Sequence, residues 1–273
     1  MCLAGQKGGF CQLNYEMHGG GDPVLFLHGF GANNYTWSKI CPRISDKKLI
    51  LLELKGHGRS PKPIDDRYSV HDQADLVYDF IVSHNLRNLV LVGHSFGGGV
   101  ALAVALKMQS RGEYLSGLIL IDSAGYRQKL PSFIQVLKLP FIGWLVSLLP
   151  ARVQVKNVLK QAYFDKRKIT DEAVNAYAEP FKLYGGRYAI RQTAKLLPPP
   201  DIDDLEKSYS SIKGKTILIW GREDNIIPLK LAERLNRAIS GSELVIVDRC
   251  GHVPPEEYPE LTAKIISDFL SKI

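Results

Sequence analysis

The stretch GHSFG, residues 93–97, joins an apolar run to a helix-like pattern and leaves a single hydroxyl, Ser95, at the corner. A serine oxygen is a weak nucleophile at neutral pH and becomes effective only when a base takes its proton. A turn that sharp crowds the backbone two residues on either side of its apex, and Gly93 and Gly97 have no Cβ to clash. The helix that follows presents its free N–H groups and the positive end of its dipole, which favours negative charge developing nearby. A glycine-rich connection can also cradle a phosphate, but the lysine of a GxxxxGK[ST] loop is missing here.

The natural base for a serine is an imidazole, and seven histidines compete for the role. His18, His71 and His84 fall in a loop or at helix ends, His57 and His94 read as structural, and His28 reads as shaping the HGFG loop. His252, in DRCGHVPPEEYP, follows the last apolar run by a few residues, at the strand edge onto which the corner opens. The imidazole needs a carboxylate to fix its tautomer. Asp224 of WGREDNIIP is preferred, with neighbouring Glu223 and Asp122, at the end of LILID, as rivals. The loop LHGFG supplies the second half of an anion site, so the amides of Phe30 and Phe96 are expected to converge on a developing oxyanion. By position, His28, Gly29 and His94 are also assigned to the substrate-binding wall. Cys2, Cys11, Cys41 and Cys250 form no CxxC or metal-ligand pattern. Cys250, two residues before His252, reads as a small buried thiol rather than a nucleophile, and no cofactor or metal is expected.

These groups meet only if a scaffold carries them to one edge. Six runs rich in Val, Ile and Leu recur at 23–28, 48–54, 88–93, 117–122, 216–220 and 243–248, nearly continuous rather than alternating. That pattern suits parallel strands buried on both faces. Helical patterns at 70–84, 229–240 and 260–270 lie between or after them, giving an α/β, doubly wound, mostly parallel sheet. The interval 125–200 is far longer than a crossover needs, is punctuated by prolines and reads as an inserted helical cap. The expected division is a core of 1–124 and 201–273 with a cap of 125–200. Phe133, Ile134, Val136, Leu137, Leu139, Phe141, Ile142, Trp144, Leu145, Leu148 and Leu149 give the cap more apolar side chains than a short helix pair hides. They read either as core or as an acyl-binding wall, and Phe141 and Trp144 are assigned to the latter.

Five motifs in order, HGFG, GHGRS, GHSFGG, GREDNIIP and CGHVPPEEYP, give the chain from about residue 10 to its end a specific likeness. It resembles a serine hydrolase of the α/β-hydrolase superfamily, in the branch with a helical cap. The resemblance implies a nucleophile at Ser95, an acid at Asp224, a base at His252 and a covalent acyl-enzyme resolved by water. Serine at the corner departs from dehalogenases and epoxide hydrolases, which carry aspartate there. A carboxylesterase acting on a small-molecule, hydrophobic acyl ester is the expected activity. Its rivals are a carbon–carbon bond hydrolase of ring-cleavage products, in which asparagine often stands where this chain has His94, and a ligand receptor on the same fold.

Hydrophobic residues at 45% and charged residues at 23% exclude a disordered chain. The most lipid-like stretch, 130–150, is broken by Lys138 and Pro140, so no membrane span is expected. No secretory leader is legible at the start, which makes the cytoplasm the default location. The net charge of +7 is uneven: residues 125–200 hold 13 Lys and Arg against 4 Asp and Glu, and the rest of the chain 22 against 24. No nucleic-acid motif accompanies the basic segment. It reads as solvated helix faces or, more sharply, as a surface making weak peripheral contact with anionic membrane.

Overall fold

The computed structural model describes residues 12–273, without the side chains of Pro140, Trp144 and Ser147. Cys2 and Cys11 therefore lie outside the described residues, as does the side chain of Trp144. Seven strands form one sheet: β1 (Tyr15–His18), β2 (Pro23–Leu27), β3 (Lys48–Leu52), β4 (Val90–His94), β5 (Gly117–Ile121), β6 (Lys215–Gly221) and β7 (Glu243–Val247). Their order is β1-β3-β2-β4-β5-β6-β7, parallel throughout except for β1, which runs antiparallel to β3. The helices follow in chain order as α1 (Val70–Ser83), α2 (Phe96–Ser110), α3 (Ser132–Lys138), α4 (Pro140–Ser147), α5 (Ala151–Ala162) and α6 (Asp171–Ala178). After these come α7 (Gly186–Lys195), α8 (Ile202–Ser208), α9 (Leu229–Ala238), α10 (Pro254–Glu257) and α11 (Pro259–Leu270).

The continuous apolar runs are explained by two cores, one on each face of the sheet. Val24, Phe26, Val90, Val92, Ile119, Ile121, Ile217 and Ile219 pack against Trp37 and α11. The alternate residues Leu25, Leu27, Leu91, Leu118, Leu120, Leu218 and Trp220 pack against α1, α2 and α9. Both sets of every central strand are buried, so no polar alternation survives in the sequence. Helix α2 is apolar nearly all round and sits inside this packing.

Two features position the site. β3 and β4 flank β2 on opposite sides, so the strand order reverses there and a crevice opens at the carboxyl ends of β2 and β4. The chain then leaves the sheet after β5, forms α3 to α8, and returns at β6. Among the described residues no helix is long and apolar enough to cross a membrane.

Candidate active site

The strand-to-helix corner is tight enough to dictate its own sequence. A Cβ on Gly97 would lie 2.3 Å from the Leu27 carbonyl oxygen, and one on Gly93 would lie 2.5 Å from that of Gly97. Ser95, between them, adopts φ 54° and ψ −120°, a left-hand-side conformation that costs a non-glycine residue of order 1–3 kcal/mol. Its N–H donates to the Ile121 carbonyl, and its own carbonyl accepts from the amides of Gly98 and Ala124. That frame leaves the side chain at the carboxyl edge of β4.

Asp224 arrives three residues beyond β6 and His252 five beyond β7, both at the same edge. The Ser95 hydroxyl donates to His252 Nε2 at 2.8 Å, and His252 Nδ1–H donates to Asp224 Oδ2 at 2.7 Å. A carboxylate oxygen in this position accepts, which fixes the proton on Nδ1 and leaves Nε2 free to receive one. Asp224 Oδ1 is held by the amides of Ile226 and Ile227 at 2.7 and 2.9 Å. The three side chains are buried, and the arrangement can deprotonate a hydroxyl, hold the resulting imidazolium against a carboxylate and return the proton to a leaving group.

The two rival acids have other partners. Glu223 accepts from the Cys250 amide at 2.9 Å. Asp122 directly follows β5, where its Oδ1 accepts from the Gly221 amide at 3.0 Å. Complete burial, with the Asp224 carboxylate beside it, pushes the Asp122 carboxyl well above the usual carboxylate range. Asp122, Asp224 and His252 are also the grouping of described residues whose ligand atoms, within 4.8 Å of one another, approach metal-site spacing. Within that grouping Asp224 and the His252 ring nitrogens are already engaged in the hydrogen bonds described. Burial and the neighbouring carboxylates push the Cys250 thiol up, away from the reactive thiolate.

A cavity of about 430 Å³ opens over Ser95 and His252. Gly29, Phe30 and His94 line it, as do Phe133, Ile134, Val136, Leu137 and Leu149 from the inserted segment. The N–H groups of Phe30 and Phe96 donate to no acceptor among the described residues. His94 is wall and support at once: its Nε2–H donates to the His252 carbonyl at 2.7 Å, and burial lowers its pKa to about 3.

Two assignments do not survive. His28 lies wholly beneath the surface and away from the cavity lining; its Nδ1–H meets the Gly29 carbonyl and its Nε2 accepts from the Leu54 amide, so it shapes the loop. Phe141 is 72% exposed and stands outside the cavity, because α4 turns that face outward. The wall it was expected to form comes largely from α3 and α5, the latter through residues such as Val155, Val158 and Leu159.

Sequence reasoning also missed a carboxylate pair on α10. Glu256 accepts from the hydroxyls of Tyr163 and Tyr177 at 2.6 and 2.5 Å, and Tyr177 also meets Thr36 Oγ1 at 3.0 Å. Glu257 accepts from the amides of Gly251, Phe164 and Asp165 at 2.8, 3.0 and 3.0 Å. Together they tie the His252 turn to the end of α5 and to α6. The doubled acid in PPEEYP is the one trace of this in the sequence.

A sequence model described as the alpha/beta hydrolase fold matches residues 22–259. The chain belongs to the α/β-hydrolase family. As a hydrolase of that family it is 26% identical over 271 residues to a 2-hydroxymuconate semialdehyde hydrolase of Pseudomonas sp. strain CF600, covering 96% of this chain and 91% of that one. It is 27% identical over 272 residues to the monoacylglycerol lipase abhd6-A of Xenopus laevis, covering 97% and 80%. An esterase of Exiguobacterium antarcticum shares the fold, with a TM-score of 0.81 at 21% identity over 95% of each chain.

Proposed function

We propose that this hydrolase is a serine carboxylesterase acting on small, uncharged acyl esters of short to medium chain length, with residues 125–200 as its cap. Ser95 Oγ gives its proton to His252 Nε2 and attacks the ester carbonyl. The Phe30 and Phe96 amides take up the charge on the carbonyl oxygen, each donor contributing on the order of 3 kcal/mol in the transition state. His252 then protonates the departing alcohol, Asp224 stabilising the imidazolium throughout. A water molecule, activated by the same imidazole, resolves the acyl-enzyme and regenerates Ser95.

The observation that carries the ester reading over its rival is the charge of the cavity. The lining contains no Lys or Arg among the described residues, but it does contain Glu256. The substrate named for the Pseudomonas relative, 2-hydroxymuconate semialdehyde, is itself a carboxylate, which such walls would bury without a cationic partner. The monoacylglycerol ester named for the Xenopus relative is uncharged and suits the same walls. The likeness to a carbon–carbon bond hydrolase over nearly the whole chain keeps that second reading testable. A panel of p-nitrophenyl esters of increasing chain length, run beside a vinylogous diketone acid, separates the two. Esters should be turned over with a kcat/KM at least about a hundredfold higher, some 2.7 kcal/mol in transition-state stabilisation; a preference for the diketone acid would reverse the assignment.

A further inference from the structure

We infer that the outer face of α4, together with the lysines of α5, is a docking surface for an anionic lipid bilayer. Phe141, Ile142, Leu145 and Leu148 recur at the spacing of one helical stripe, and all are between 49% and 72% exposed. A continuous stripe of this kind is unusual on the surface of a monomer and marks a contact surface. Leu149 and Val153 extend it, and both also line the cavity over Ser95 while standing about half exposed, so the stripe runs to the cavity mouth.

The electrostatics select the occupant. On α5, Lys156 and Lys160 lie three and seven residues after Val153 and so share its exposed face, and neither forms an ion pair among the described residues. The entire positive excess of the chain lies in residues 125–200. Exposed apolar and aromatic side chains flanked by lysines match the two components of an anionic bilayer surface, acyl chains below and phosphate above. A second copy of this chain would instead bring like charge against like charge. A ligand dissolved in the bilayer would then enter the cavity from the lipid side, whichever bond the enzyme breaks.

The test is co-sedimentation of the full-length chain with vesicles of phosphatidylcholine, alone or with about one third phosphatidylglycerol, at low and high salt. The wild type should pellet with the anionic vesicles at low salt and be largely released at high salt. Leu145→Asp/Leu148→Asp and, separately, Lys156→Glu/Lys160→Glu should each weaken binding by about tenfold or more. Their unfolding midpoints, followed by circular dichroism, should stay close to that of the wild type. If the leucine pair unfolds, the lysine pair decides. Wild type remaining in the supernatant at low salt, or an intact double variant that pellets like the wild type, would overturn the proposal. So would a concentration-dependent dimer that the leucine variant dissolves, since the stripe would then cover a second copy.

Discussion

Replacing Asp224 and Asp122 separately by asparagine probes the acid end of the proposed relay. In the Asp224 variant the amide has two placements. If its oxygen keeps the Ile226 and Ile227 amides, now at 2.7 and 2.9 Å from Asp224 Oδ1, its NH2 group faces His252 Nδ1 and forces the proton onto Nε2. An Nε2–H imidazole cannot receive the Ser95 proton. If the amide flips, NH2 opposes two backbone donors, and leaving each unsatisfied costs about 1–3 kcal/mol. The first placement is the cheaper one, and the equivalent change in a serine protease lowers kcat by about ten-thousandfold, some 5.4 kcal/mol. Burial and the neighbouring Asp224 carboxylate push the Asp122 carboxyl toward its neutral form, and an asparagine there preserves the acceptor for the Gly221 amide. Its loss should stay within about tenfold. Turnover of p-nitrophenyl butyrate, with circular dichroism to verify folding, measures both. An Asp224→Asn enzyme within tenfold of the wild type, or a larger loss at Asp122, would refute the reasoning.

Glu257→Ala leaves the amides of Gly251, Phe164 and Asp165 without their shared acceptor and should lower stability by about 3 kcal/mol, read from urea unfolding. Gly97→Ala sets a methyl group 2.3 Å from the Leu27 oxygen and should lose about 3 kcal/mol or more together with activity; a melting point within two degrees or so of the wild type would contradict the corner geometry. Burial lowers the pKa of His57 to about 4, so between pH 6.5 and 4 the unfolded chain binds a proton that the native state refuses, and stability falls with pH. Acidification from pH 7 to 5 should therefore cost the wild type about 2 kcal/mol more than it costs His57→Phe, and parallel urea titrations of the two would count against that.

Much of this arrangement was legible in the chain because backbone sterics leave few alternatives. Apolar runs announced six of the seven strands, five of them buried on both faces and the edge strand β7 largely half-buried; β1 escaped because its four residues are half-buried or exposed and pair on one side only. Ser95, His252 and Asp224 were reachable because each lies just past the end of a parallel strand, Ser95 directly and the other two by a short loop, and carboxyl ends converge. The inserted helices were harder. Helical spacing groups Phe141, Leu145 and Leu148 on one stripe, but α4 is apolar on nearly every side, so nothing in its pattern says which stripe turns inward. Tyr163 and Tyr177 lie 93 and 79 residues from Glu256, beyond any local signal.

The central claim is that the Ser95 hydroxyl, activated by an imidazole 2.8 Å away, forms the covalent bond to substrate. A fluorophosphonate probe followed by peptide mass mapping tests it most directly. The account predicts stoichiometric modification confined to the peptide carrying Ser95, abolished in Ser95→Ala and strongly slowed in His252→Ala. Labelling of Ser95→Ala to the same extent as the wild type, or modification mapped to another residue, would contradict it.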